Sequence, residues 1–125
     1  MNLKFQYKSL VESLRLLASS YENQVNYLPD FANIQDEVVA TFGDAFLLLP
    51  QLIESNLLSM KAIASIVRCH NWMDIAVRDE SISSDLESFK SHESWQKVRS
   101  LAATALEMMK EEKKKPDLGH INWLD

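Results

Sequence analysis

Cys69 and His70 stand side by side in the chain, and a thiol beside an imidazole is the pairing from which nucleophilic catalysis is built. Adjacent residues on a helix point about 100° apart, so neither can activate the other laterally. Both also fall in the most apolar stretch of the sequence, where a buried inert thiol and a core or boundary histidine are the ordinary outcome. His70 and Asp74 are better spaced: four residues apart, they share one helical face, as metal ligands and histidine-orienting carboxylates do. Two ligands do not make a site, and the chain has no HExxH, no repeated Glu-x-x-His pair and no EF-hand loop. His92 and His120 lie in polar or terminal segments with no partner near them in sequence. Cys69 is the only cysteine, which excludes an intrachain disulfide and a cysteine-rich zinc site and fits a reducing cytoplasm. With Gly43 and Gly119 as the only glycines, no glycine-rich phosphate cradle can be built, so ATP and NAD are disfavoured. The expectation is a protein that is not an enzyme, with no catalytic residue, metal, cofactor or small-molecule substrate.

A different chemistry is written in residues 27–54, YLPDFANIQDEVVATFGDAFLLLPQLIE, which carry Asp30, Asp36, Glu37, Asp44 and Glu54 and no lysine or arginine. The gap is wider still, because from Leu16 through Met60 there are six carboxylates and no basic side chain. The net charge of −5 is concentrated there, since the rest of the chain is close to balanced. Such a surface argues against nucleic acid or an anionic membrane as partner, both being polyanions, and leaves a basic protein. A bland reading stands beside it: Asp36 and Glu37 occupy a first helical turn, where negative charge is favoured anyway, and acidic surfaces aid solubility. On charge alone both readings remain open.

The elements that must position these residues are all helical. A chain of 125 residues with 46% apolar and 25% charged residues has the composition of one ordinary globular domain, residues 1–125. Two glycines and three prolines are too few for a many-stranded sandwich or barrel. Leu3, Tyr7, Leu10, Val11, Leu14, Leu17, Ala18 and Tyr21 form the stripe of an amphipathic helix, and ENQVNYLPD reads as a connection. Asn33 caps a second helix whose inward face is Ile34, Val38, Phe42 and Ala45. Gly43 and Pro50 favour a break between Thr41 and Pro50. Ser59 caps a third long helix, 60–77, apolar on most sides and therefore expected to be innermost, with a narrow polar stripe at Lys61, Ser65 and Arg68. One short helix near Asp85 to Phe89 and a last long helix from Glu93 to Lys114 complete an all-α bundle of five or six helices. The lysines of KEEKKKP are expected at the C-terminus of that last helix, and the apolar tail 116–125, with Trp123, packs on the body. No signal peptide and no window of about twenty apolar residues is visible, so a cytosolic location is expected.

The run YLPDFANIQDEVVATFGDAFLLLPQLIESNLLS resembles a segment of the small helical immunity proteins of bacterial contact-dependent growth inhibition (CdiI-type) and related polymorphic toxin systems. It shares the Pro-Asp-Phe opening, an Asn followed by an acidic pair, and a paired-helix continuation. The match covers residues 27–60; beyond it lie helical character and Trp95 near the start of the last helix. The resemblance implies a cytoplasmic antidote that binds one cognate toxin domain, often a nuclease, and it carries no catalytic signature and assigns no contact residue. Joined to the charge pattern, it makes Asp30, Asp36, Glu37, Asp44 and Glu54 the candidate partner-binding residues. Two alternatives remain: a helical adaptor that self-associates or docks through apolar surface such as the Trp123 tail, and a small hydrolase acting through His70 and Asp74.

Overall fold

The computed structural model describes residues 2–30 and 32–119. Among them are eight α-helices and no strand, so the all-helical class stands while the helix number exceeds the expected five or six. In order they are α1 (Leu3–Ala18), α2 (Tyr21–Tyr27), α3 (Ile34–Leu47), α4 (Leu49–Glu54), α5 (Met60–Arg78), α6 (Glu80–Ser83), α7 (Leu86–Ser91) and α8 (Glu93–Met108).

Side chains that accept backbone N–H groups set most helix starts. Asn2, Ser20, Asn33, Ser59, Asp79, Asp85 and His92 each cap the helix that follows. Ser20 explains the first difference from expectation: its hydroxyl accepts the Asn23 N–H after Ser19 has gone extended, so the apolar stripe ends at Ala18. The segment read as a connection is therefore α2, which Leu28 ends in the extended conformation required before Pro29. Gly43 does not break α3; the break comes at Leu48, with Pro50 in the first turn of α4, where its missing N–H costs nothing. The Ser-rich stretch after α5 holds two short helices in place of one, because Asp79 and Asp85 each cap a turn.

The four long helices contact in a ring: α1 lies against α3 and α8, and α5 lies against α8 and α3. The core between them is formed by Leu10, Leu14 and Leu17 of α1, Val38 and Phe42 of α3, Ile66 and Cys69 of α5, and Trp95, Val98 and Ala102 of α8. The innermost helix is not α5. In α1 every residue from Leu10 to Ala18 is buried, whereas α5 leaves Val67, Ile75 and Val77 exposed on its outer side. The reason lies at the other end of the chain. α8 stops at Met108 rather than Lys114, because Lys110 takes a left-handed conformation (φ 60°) and the N–H groups of Lys110 and Glu111 turn back to the Glu107 and Leu106 carbonyls. Residues 111–119 then run as a strap across α1, with Pro116 buried and Leu118 packed on the core. The lysines at 113–115 are thus on the strap and not at a helix end, and Lys115 lies 5.8 Å from the Tyr27 ring centroid. His120 through Asp125, with Trp123, lie outside the described residues.

Polar groups under the strap are paired. Arg15 donates to Glu12 at 2.9 Å and to the Glu112 carbonyl at 2.8 Å, and Glu12 accepts the Asp117 N–H at 2.9 Å. Tyr7 donates to Glu111 at 2.8 Å, and Lys8 pairs with Asp117 at 2.9 Å.

Candidate functional site

The capped start of α3 fixes the rotation of the acidic helix. With Asn33 Oδ1 accepting the Asp36 N–H at 3.0 Å and Val38, Phe42 and Ala45 buried, the residues left facing solvent are Asp36, Ala40, Asp44 and Leu47. They make one stripe, recurring at three- and four-residue steps. Because α3 runs unbroken through Gly43, Asp36 and Asp44 are separated by about 12 Å along the axis, at 1.5 Å per residue. Gly43 is half-buried beside the stripe, and a Cβ built there would meet no atom within 4 Å. Glycine is therefore not required by packing, although it weakens a helix interior.

The other acidic candidates frame this stripe in different ways. Glu37 is half-buried in the first turn of α3. Asp30 is exposed in the turn closed by the Ala32 N–H on the Pro29 carbonyl at 3.0 Å. Glu54 is exposed at the last residue of α4, where the negative end of the helix disfavours a carboxylate. Among the described residues none of the five forms an ion pair, while the carboxylates elsewhere that do include Glu12, Asp74, Glu87 and Asp117. Helix-end electrostatics account for Asp36 and Glu37 and leave Asp44 and Glu54 without a local reason.

One feature of this face was not legible from charge. Leu47, at the end of the stripe, is 75% exposed. The leucine run around it gives no hint of which member faces out; that follows from the break at Leu48, after which Leu49 and Leu52 turn inward.

The cysteine and histidine candidates are dispersed. Cys69 is fully buried, its Sγ 3.5 Å from the Val98 carbonyl, and burial pushes its thiol up to about 12. The His70 ring stacks on Phe46 at 4.0 Å and 10°, with Phe42 at 6.3 Å. Asp74 takes Arg78 at 2.9 Å and not His70. His92 caps α8, its Nδ1 accepting the Ser94 N–H at 3.1 Å. Among the described residues no three His, Cys, Asp or Glu side chains gather as a metal site, and no helix is long and apolar enough to cross a membrane.

Among the described residues the fold is all-helical, and the acidic side chains of the α3–α4 face form no ion pair. Compared with protein-family models, curated proteins and solved structures, the chain matches none.

Proposed function

We propose that this is a cytoplasmic immunity protein that binds and neutralises a cognate bacterial toxin domain through the outer face of α3 and α4. The observation that carries the reading is the stripe Asp36, Ala40, Asp44 and Leu47: two carboxylates with no ion-pair partner among the described residues, a small residue between them, and a leucine left in water. A toxin that holds phosphates on a positive surface, as a nuclease does, is the partner such a face suits. Carboxylates steer a basic surface into contact, and a leucine beside them supplies the apolar centre of an interface.

The first test is whether a toxin C-terminal domain is encoded immediately upstream of this gene, and the second is the association of that domain with this protein. Wild-type association should slow as salt rises, because steering is screened over about 8 Å at physiological ionic strength. Asp36→Lys with Asp44→Lys should keep the fold, slow association and lose most of that salt dependence. Equal rates for both proteins across the salt series would overturn the reading. Gly43→Ala separates stability from binding: in an unobstructed helix interior it should stabilise by about 0.5–1 kcal/mol, yet hasten release of a partner seated against the stripe.

A helical adaptor docking through apolar surface is the second reading, and the exposure of Leu47 favours it. In that case Leu47→Ala weakens binding equally at every salt concentration and the charge reversals have no effect.

A further inference from the structure

α5 and α8 run antiparallel, with Cys69 against Val98 and, nearer one end, Met60 and Ala64 opposite Met108 and Thr104. At that end the two helices leave an open groove of about 400 Å3. Met60 is 81% exposed and Met108 37% exposed, so thioether side chains from both helices line it and meet water. Lys61 and Arg68 stand on its α5 side, both exposed and, among the described residues, neither in an ion pair. Among the described residues no carboxylate lines it.

We propose that this groove docks an acidic amphipathic helix of a partner protein, at a surface separate from the α3–α4 face and independent of the function proposed above. Three features select that occupant. Flexible, polarisable methionines adapt to apolar side chains of varied shape, and here one from each helix borders the groove. Lys61 and Arg68 are seven residues apart, two turns along one helix face, so a helix laid along the groove meets both if its own carboxylates are seven residues apart, with apolar residues three or four positions on. Nucleic acid fits poorly: two cations neutralise about two phosphates, and among the described residues no aromatic ring lines the groove for bases to stack on.

The full chain, carrying 13C-methyl methionine, tests this with a capped alanine-based peptide of about 15 residues, or about 22 Å of helix. The peptide places two glutamates seven residues apart with two leucines between them. A control peptide replaces both glutamates by lysine. Saturable shifts of the Met60 and Met108 methyl signals are expected with the acidic peptide, and binding at least about tenfold weaker with the lysine peptide. The variant Lys61→Glu with Arg68→Glu should invert that preference; both side chains are exposed, and an unchanged melting temperature confirms its fold. Methyl signals unmoved by the acidic peptide up to millimolar concentration would overturn the proposal, as would equal response to both peptides on wild type, a comparison that needs no variant. Methyl shifts that follow protein concentration alone would overturn it in favour of a second copy of this chain.

Discussion

The Cys69 thiol is held away from water by α8, and its pKa is pushed up to about 12 by burial. Free thiols ionise near about 8.5, so between that pH and 12 the folded state keeps a proton that the unfolded state gives up. The stabilisation from this group is complete below about pH 8.5 and is lost as pH rises through the window, by about 1.4 kcal/mol per pH unit. Tyr7, raised to about 12 by burial and by its hydrogen bond to Glu111, acts with the same sign from about pH 10 upward. Denaturant titrations should show stability level near neutrality and falling above about pH 8.5. Cys69→Ala should be less stable at pH 7 and lack the first part of that fall. An identical pH profile in the variant would place the thiol in water. At this scale helix geometry already separates Cys69 from His70, since neighbours diverge by about 100°. It does not reveal that His70 stacks on Phe46, which belongs to another helix.

Among the elements, the strap over α1 depends on charges that are out of water. Arg15 and Glu12 are 8% and 6% exposed in their side chains, and Glu111 reaches Arg15 at 3.5 Å. Removing one partner of a buried pair leaves the other uncompensated, which costs about 3–5 kcal/mol. Arg15→Met should therefore lower stability by that order and release residues 111–119, seen as faster tryptic cleavage after Lys113 and Lys114. Lys8→Met, which removes the exposed pair with Asp117, should leave both the melting temperature and the cleavage rate close to wild type. Equal cleavage in the two variants would show that the strap is held by Pro116 and Leu118 alone. Its existence was not legible locally. Glu and Lys after Met108 favour helix, and the expected helix ran on to Lys114; the left-handed turn at Lys110 ends it, and the partners that then hold the strap, Arg15 and Glu12, lie on α1, near the opposite end of the chain.

For the whole molecule, two isoleucines of α5 measure which side of that helix the ring of helices covers. Ile66 is fully buried and Ile75 is 50% exposed. Ile66→Ala should cost about 2–5 kcal/mol, and Ile75→Ala far less, by chemical denaturation. Comparable losses would mean that α5 is enclosed all round, as its apolar composition first suggested. The sequence by itself determined the helical class, the cap at Asn33, the cap at Ser59 and the inward face of α3. Each depends on residues within a few positions, where helical period and side-chain capping act. It also determined that the negative charge concentrates between Leu16 and Met60, because charge is a property of composition. Only the tertiary structure decided that α1 and not α5 is innermost, that Leu47 and Met60 face water, and that Lys61 and Arg68 edge a groove. Those outcomes depend on which helices meet and on where the strap crosses α1. Hydrophobic burial is non-directional, so an apolar helix carries no record of how many of its sides will find a neighbour.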